Sequence, residues 1–315
     1  SKALIDKDAI YSAEGNASIT SSLQVIGQIV AYAGEYGIST NPESFAVYGN
    51  RKYFTDKKRG VVLRLSGGAG GGQGITEISS YGMHDFFRDE LADATKVVGG
   101  WNSHTKDYVL SLQTNSDYKT ATFDEGVLGW TSFSSYKPSH IFSLSNVFYT
   151  FNQDVDTNGN LGRLYQHYSG PYAKFYGVTY GSDVTIVLNS QPSVVKNFKT
   201  INYEGGLGWE LESMIASSTD QTLPIGKYVF QENLASLENQ IWSNTFKKKE
   251  DKYFANLINN SPATNGEILY GADMSGIKGF YSTVKMSISP ITQFDTSAIK
   301  KELFSVSSDV VESSY

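Results

Sequence analysis

Short segments in which apolar and polar residues alternate run along most of the chain, and they predict a protein built mainly of β-strands. Between residues 283 and 288, Val284, Met286 and Ile288 alternate with polar residues, so one face of this strand would be buried and the other wet. Gly, Asn, Asp and Ser bound the strand-like segments. Clear examples are Gly60–Leu65, Tyr108–Leu112, Val147–Phe151, Val184–Leu188, Ile268–Tyr270 and Phe280–Ile288.

Helical spacing of apolar residues is scarce by comparison. The pattern predicts one amphipathic helix over Met83–Ala94, with Phe86, Phe87 and Leu91 behind Asp85. It predicts a second over Val229–Trp242, where the apolar face would consist of Leu234, Leu237 and Ile241. The remaining chain is therefore expected to contribute strands and turns.

A faint repeat indicates how the strands are organised. Tyr53–Asp56 followed by Gly60–Leu65 resembles Phe148–Phe151 followed by Gly162–His167: an aromatic strand, a polar turn, then Gly before a second strand. Further hairpin strands lie between them, at Tyr108–Leu112, Thr120–Phe123 and Trp130–Phe133, with a turn at Asp124-Glu125-Gly126. The two repeated hairpins start at positions 53 and 148, a distance that fits two propeller blades of ~40–50 residues each.

We therefore predict a mainly β fold with propeller-like antiparallel sheets over residues 40–205, and a β-sandwich is the alternative. Residues 1–205 would form this domain, with residues 1–40 as an entry segment. From residue 206 the pattern changes to helix, basic turn and paired strands, which predicts a smaller α+β closing module over residues 206–315.

The chain begins at Ser1 without an initiator Met. Processing or tag removal, and a C-terminal fragment of a longer polypeptide, are both open interpretations.

Composition narrows the function more by exclusion than by identification. Charged residues make up 18% of the chain, against a usual ~25%, and aromatic residues 13%, with 21 Tyr and 17 Phe, which argues against intrinsic disorder. The absence of Cys excludes disulfides and thiolate chemistry. A net charge of −6 argues against a nucleic-acid partner, and no apolar run reaches the ~18 residues expected of a membrane helix. Because Tyr is favoured at protein interfaces, its abundance favours an assembly surface.

One segment has the spacing of a metal-binding loop. Asp154, Asp156 and Asn158 supply oxygen side chains at positions one, three and five, and Gly159 stands at position six, as in a calcium loop. Position twelve is Tyr165, so the bidentate carboxylate that normally completes such a loop is missing. A turn rich in Asp and Asn, which needs no metal, is the alternative. No other cofactor is predicted.

The remaining motifs predict structure rather than catalysis. Gly67–Gly74 lacks the spacing of a phosphate loop and is followed by a strand, so we expect a hairpin tip. The S-x-x-K pattern that ends at Lys196 recurs at several other serines and so carries no information, and the four histidines lack metal-protease spacing. The carboxylates Asp124/Glu125 and Glu210/Glu212 would form a glycosidase pair only if the fold gave them a suitable separation. The basic clusters Lys57-Lys58-Arg59 and Lys247-Lys248-Lys249 are expected at solvated turns, with contact to an acidic neighbouring subunit as the alternative.

Several longer segments are distinctive: Gly37–Phe45, Tyr53–Ser66, Ile78–Met83, Phe142–Phe151, Pro192–Gly205, Gly276–Lys285 and Val311–Tyr315. In this order, they resemble segments of a family of tailed-bacteriophage virion structural proteins found in marine T-even-like phages, such as cyanophages, and in crAss-like phages. The resemblance runs through nearly the whole chain, with departures at Gly67–Gly74 and Asp154–Gly162. It implies a non-enzymatic component of the tail, neck or baseplate, located in the virion, with other virion proteins and further copies of itself as partners.

Two functions follow from this sequence. In the first, the chain is a virion structural protein that assembles through Tyr-rich β surfaces. In the second, it is a receptor- or glycan-binding propeller on the particle, assisted by calcium, with a groove lined by Trp101, Trp130 or Tyr residues beside paired carboxylates.

Overall fold

The computed structural model is built mainly of antiparallel β-strands, as the alternation of apolar and polar residues predicts. It describes residues 2–5, 10–11, 17–18, 26–67, 73–154, 162–217, 223, 228–230, 245–259, 276–289 and 300–313. Residues make most of their contacts within one of two compact units, Ser1–Ser169 and Gly170–Tyr315. Residues 170–205 thus fall with the C-terminal part of the chain. A division by contacts does not test which part folds alone, so the predicted boundary after residue 205 stays a prediction.

The described residues of the N-terminal unit form fifteen strands, a 3₁₀ helix at Pro42–Ser44 and the helix α1 at His84–Asp93. The strands are β1 (Lys2–Ile5), β2 (Ile10–Tyr11), β3 (Ala17–Ser18), β4 (Ile26–Val30), β5 (Ala46–Tyr48), β6 (Arg51–Asp56), β7 (Val61–Gly67), β8 (Gln73–Glu77), β9 (Lys96–Asn102), β10 (Asp107–Gln113), β11 (Tyr118–Asp124), β12 (Gly129–Ser134), β13 (His140–Leu144), β14 (Val147–Asn152) and β15 (Arg163–Gln166). Helix α1 confirms the first predicted helix, and its Phe87 and Leu91 are fully buried.

These strands form three larger sheets, with the orders β5-β6-β7-β8, β12-β11-β10-β9 and β13-β14-β15, and the pairs β1-β4 and β2-β3. Tyr53 lies opposite Arg64 across β6 and β7, and Phe151 lies opposite Leu164 across β14 and β15, so both repeated hairpins are confirmed. The pairing of β7 with β8 confirms a hairpin at the glycine-rich segment, whose tip, residues 68–72, lies outside the described residues. Among the described strands no closed barrel or propeller is seen, so the propeller-like arrangement is not confirmed.

Strand β10 is the centre of the N-terminal unit, because all seven of its residues are buried. On one face, Tyr108, Leu110 and Leu112 belong to an apolar core that also contains Phe87 and Leu91 of α1. On the other face, the Gln113 side-chain amide donates to Ser111 Oγ (3.0 Å) and to the Pro138 carbonyl (2.7 Å). The sheet β9–β12 is therefore covered on both faces along this strand, which explains why its polar groups need internal partners.

The adjacent strand β9 is approached closely by other parts of the unit at Gly99 and Gly100. A Cβ atom built on Gly99 would lie 2.2 Å from the carbonyl oxygen of Ser44, and one on Gly100 would lie 2.2 Å from Cγ2 of Ile141 in β13. The Ser143 hydroxyl, also in β13, donates to the Trp101 carbonyl (2.7 Å). The two glycines thus allow β13 and the 3₁₀ helix to contact β9 at distances that any side chain would prevent.

The C-terminal unit contains thirteen strands within its described residues. They are β16 (Lys174–Phe175), β17 (Val178–Thr179), β18 (Ser182–Leu188), β19 (Lys196–Phe198), β20 (Thr200–Gly205), β21 (Glu210–Ala216), β22 (Val229–Phe230), β23 (Thr245–Lys249), β24 (Lys252–Asn256), β25 (Ile277–Gly279), β26 (Ser282–Ile288), β27 (Leu303–Ser307) and β28 (Val310–Glu312). Their sheets have the orders β16-β17, β18-β26-β21, β25-β19-β28 and β22-β23-β24-β20-β27.

Buried aromatic and aliphatic side chains fill the core of this unit. Tyr203 stacks on Tyr253 at 4.6 Å between ring centroids and meets Phe246 edge-on at 5.0 Å. In β26, Val284 and Met286 are fully buried, which confirms the alternation predicted there.

The predicted helix over Val229–Trp242 is wrong at its start, because Val229 and Phe230 form β22, which pairs in parallel with β23. Its remainder, like the predicted strand Ile268–Tyr270, lies outside the described residues.

In the described part of the chain, no helix combines the length and the apolar character needed to cross a membrane.

We predict that Gly100→Ala destabilises the protein by about 1–3 kcal/mol, the usual cost of overpacking a filled core, because its Cβ would overlap Ile141. Urea unfolding of the purified chain measures this loss. Gly129→Ala in β12 is the matched control, since the nearest atom to its Cβ would be 3.9 Å away. Combining Gly100→Ala with Ile141→Ala should cost less than the sum of the two single substitutions, and strict additivity would contradict the proposed overlap.

Candidate functional site

The predicted calcium loop is only partly within the described residues. Asp154 is described: one of its carboxylate oxygens lies 3.3 Å from Lys137 Nζ, and its backbone N–H donates to Asn152 Oδ1 (2.9 Å). Asp156 and Asn158 lie outside the described residues. Within the described ranges, no group of three or more His, Asp or Glu side chains could hold a metal ion. Calcium binding at this loop therefore stays a prediction.

The carboxylates considered as catalytic pairs have structural partners. Asp124 Oδ1 accepts hydrogen bonds from the backbone N–H groups of Gly126 (2.6 Å) and Val127 (3.2 Å), so it stabilises the turn between β11 and β12. In the C-terminal unit, Glu212 lies 3.1 Å from Lys285 Nζ on the neighbouring strand. Asp124 and Glu212 thus each have a structural partner.

Lys196, the lysine of one S-x-x-K match, is fully buried at the start of β19. Its ammonium group donates to the carbonyl oxygens of Gln191 (2.9 Å) and Val194 (3.0 Å), and burial lowers its pKa. These bonds tie the preceding turn to the strand, which is a structural role that the sequence motif does not indicate.

Glu125 lies at the centre of a largely buried cluster of charged groups in the N-terminal unit. Its two carboxylate oxygens accept hydrogen bonds from the Tyr53 hydroxyl (2.5 Å) and from Arg64 Nη1 (2.6 Å), and Arg51 lies 3.7 Å away. The side chains of Glu125 and Arg64 are 9% and 14% exposed, so this ion pair is largely shielded from water. Burial, together with the bond to Glu125, raises the pKa of Tyr53 far above its usual value. The cluster joins the β11–β12 turn to β6 and β7.

Four aromatic rings continue from this cluster as a stacked column. Tyr48 stacks on Trp101 (4.1 Å between centroids), Trp101 on Tyr53 (5.5 Å), and Tyr53 on Tyr108 (4.8 Å). Trp101 is only 7% exposed, and the indole N–H of Trp130 donates to the Ile78 carbonyl (3.0 Å). Trp101 therefore offers no open face of the kind that the glycan-binding alternative requires, whereas Trp130 is partly exposed, and that alternative stays a prediction.

A second aromatic cluster surrounds His167 at the end of β15. Its ring lies 4.9 Å from that of Phe148 and 4.7 Å from that of Tyr136, and its Nε2 is 2.7 Å from Thr150 Oγ1. Burial lowers the pKa of His167 to about 4. The imidazole is therefore neutral over the physiological range, which suits a packing residue.

The two basic clusters differ in their surroundings. The Lys57 ammonium donates to the Ala94 carbonyl, and Arg59 pairs with Glu35 at 2.8 Å beside an open pocket of about 540 Å³. In the C-terminal unit, Lys247, Lys248 and Lys249 are exposed on β23, and Lys248 Nζ lies 5.5 Å from the centre of the Tyr253 ring. Contact between these lysines and an acidic subunit stays a prediction.

Large apolar side chains are also exposed, and several of them lie on one sheet. On the face of β13-β14-β15 that points away from β9, Phe142, Leu144 and Leu164 are 41%, 65% and 56% exposed. We call this the outer face; its residues by strand register are His140, Phe142, Leu144, Val147, Tyr149, Phe151, Leu164 and Gln166. Sequence reasoning missed it, although β14 is apolar at positions on both of its faces.

Comparison with known families gives a match in the C-terminal unit. Residues 170–260 match the model described as the Crassvirus muzzle protein C-terminal domain. The match begins at Gly170, where the C-terminal unit also begins. No curated protein sequence matches the chain. The family match supports a virion structural protein of crAss-like phages, which is one of the two phage groups in the sequence resemblance.

We predict that Glu125→Gln lowers the free energy of unfolding by about 2–3 kcal/mol, because Arg64 would keep its charge in a largely buried place without its partner. Urea unfolding measures the change, and Glu43→Gln, at an exposed carboxylate, serves as the control. Adding Arg64→Met should recover part of the loss, since it removes the unpaired cation. An equal loss in both Glu variants would contradict a buried ion pair.

We also predict that His167 makes the protein less stable in mild acid. The unfolded chain binds a proton at a pKa of ~6.5 and the folded chain only at about 4, so this contribution is complete above pH ~6.5 and is lost as pH falls toward 4. Because the ring is partly exposed, we expect a loss of about 1–2 kcal/mol. His167→Gln should lose less stability than the wild type between neutral and acidic pH, whereas His140→Gln, at an exposed position, should follow the wild type. Parallel losses in all three proteins would show that His167 is not responsible.

Proposed function

We propose that this protein is a non-enzymatic structural component of the virion of a crAss-like tailed phage. The observation that carries the proposal is the match of residues 170–260 to the Crassvirus muzzle protein C-terminal domain. The sequence resemblance to phage virion proteins extends through both units and is consistent with it. The virion is thus the proposed location, with the tail or neck as its region and other virion proteins as partners.

The contacts of the titratable groups support a structural role. Glu125 is held by Tyr53 and Arg64, Asp124 by its own turn, and Lys196 by two carbonyl groups. A catalytic carboxylate or lysine must reach a substrate, and these groups are instead used by hydrogen bonds inside the fold. The described chemistry is therefore that of a scaffold.

The exposed apolar and aromatic side chains support assembly through β surfaces. Tyr48 in β5 is exposed, as are the Phe and Leu residues of the outer face, and Tyr81, Tyr168, Tyr172 and Tyr281 are exposed in the turns and loops beside the strands. Surfaces of this composition are favoured at protein interfaces, because they combine a large contact area with a few polar groups. We propose that such surfaces pack against neighbouring copies or other virion proteins.

The proposal predicts that the chain is present in purified particles at a fixed stoichiometry. Gradient-purified virions of the phage that encodes it should contain the chain by quantitative mass spectrometry, in constant ratio to the capsid protein across fractions. Antibodies against the purified chain should label one region of the particle in electron micrographs, and tail or neck labelling is the expected result.

A non-structural protein encoded by the same phage is the control, since it should be lost on purification. Absence of the chain from purified particles, or a ratio that falls with each purification step, would overturn the proposal.

A further inference from the structure

The outer face is more apolar than a water-facing sheet surface should be. In an antiparallel sheet with one face packed and the other solvated, residues alternate between apolar inward and polar outward positions. In β14 the outward residues are Val147, Tyr149 and Phe151, while two of the three inward residues are Thr150 and Asn152. The sequence of this strand is therefore typical of one covered on both faces.

Neighbouring strands extend the same apolar surface. Phe142 lies opposite Tyr149, and the two rings stack at 5.6 Å between centroids. Leu144 lies opposite Val147, and Leu164 opposite Phe151. These cross-strand pairs make a continuous apolar surface over three strands rather than isolated exposed residues.

The inner face of the same sheet is already covered. Ile141 contacts Gly100 of β9, and Phe148 and Thr150 are fully buried. The outer face is therefore not apolar because the sheet has turned its polar face toward the core. They need a separate explanation, which an additional packing layer provides.

The size of the outer face suits the centre of a protein interface. At roughly 200 Å² per large side chain, the exposed fractions of Phe142, Leu144 and Leu164 amount to on the order of 300 Å². That is within the range of about 300–600 Å² for the largest apolar patch on a monomer, which is often functional. With the partly exposed Val147, Tyr149 and Phe151, it provides much of the apolar part of the ~800 Å² that each partner contributes to a specific interface.

The lack of charged residues on the outer face indicates which kind of partner fits it. By strand register, the described residues of the outer face include no Lys, Arg, Asp or Glu. When a patch meets the same patch of another copy about a two-fold axis, each charge risks meeting its like, so an uncharged surface is self-complementary. Discrimination among different partner proteins usually depends on complementary charges, which this face does not supply.

We infer that a second copy of this chain packs on the outer face, sheet against sheet, through Phe142, Leu144 and Leu164. The turn between β13 and β14 is short, so it does not cover the outer face. Ser145 and Asn146 both have positive φ (50° and 62°), as in the two-residue hairpin turns that match the twist of paired strands. The loop therefore stays short, and Leu144 is presented at the end of an ordered hairpin. This inference rests on the proposed function, because it names one contact through which a virion structural protein would assemble.

The test introduces a charge of the same sign at residue 144 in both copies, and then charges of opposite sign in the two copies. Leu144→Glu and Leu144→Lys change a 65%-exposed side chain, so neither should alter the melting temperature of the monomer, measured at low protein concentration. In sedimentation velocity over a wide concentration range, the wild type should dimerise, and each variant alone should raise the dissociation constant at least about tenfold. Mixing the Glu and Lys variants should restore association, because unlike charges then face each other. Val127→Glu, at a 70%-exposed apolar residue in the β11–β12 turn, is the matched control and should behave as wild type.

Several results would overturn the inference. A wild type that stays monomeric at the highest concentration, or dimers unaffected by Leu144→Glu, would exclude this contact. A lower melting temperature in Leu144→Glu without a change in association would show that the chain's own residues cover the face. A monomeric chain that is nevertheless present in purified particles, and is lost from them in Leu144→Glu phage, would assign the face to a different virion protein. That result would leave the proposed function intact.

Discussion

The close contact of β9 with the layers on both of its sides is the constraint on which the N-terminal unit depends. Gly99 admits the Ser44 carbonyl on one side, and Gly100 admits Ile141 on the other. Once β9 is covered in this way, the sheet β9–β12 is an internal layer, and its polar groups need internal partners. The same contact determines which side of β13-β14-β15 faces inward. Because Ile141 packs on Gly100, the alternate residues Phe142 and Leu144 lie on the outer face.

Local patterns predicted local structure well. The alternation in β26, the hairpin β6-β7 and the helix α1 all depend on residues within about 20 positions of one another, and sequence reasoning identified each of them. The helix assigned from Val229 onward was wrong at its start, because β22 owes its conformation to pairing with β23, a partner that apolar spacing does not reveal. Closure of hairpins into a propeller is also a long-range property, and a repeat of hairpins does not determine it.

The same limit applies to the candidate site. Glu125 was noted as one of a pair of adjacent carboxylates, yet its chemistry is set by Tyr53 and Arg64, which are 72 and 61 positions away. No spacing rule connects these residues, so the sequence could not distinguish a buried ion pair from a catalytic acid. The Val-Phe-Tyr-Thr-Phe-Asn sequence of β14 did contain a usable signal, because apolar residues occur on both faces of the strand. That signal indicates a surface for packing only when the strand register shows which face is already covered.

The abundance of tyrosine has a different meaning once the contacts are known. The hydroxyl groups of Tyr53 and Tyr108 donate to Glu125 and to the Ser44 carbonyl, and that of Tyr228 accepts from the Ile258 N–H. In these positions tyrosine fills the core as phenylalanine would, and it also pairs polar groups that a sheet covered on both faces would otherwise leave unsatisfied. Part of the excess therefore reflects the internal layers and not an external surface. The assembly surface that we propose differs in composition: it has aliphatic side chains, phenylalanines and Tyr149, with no Lys, Arg, Asp or Glu among its described residues, on the outward positions of a sheet whose inward positions are already packed.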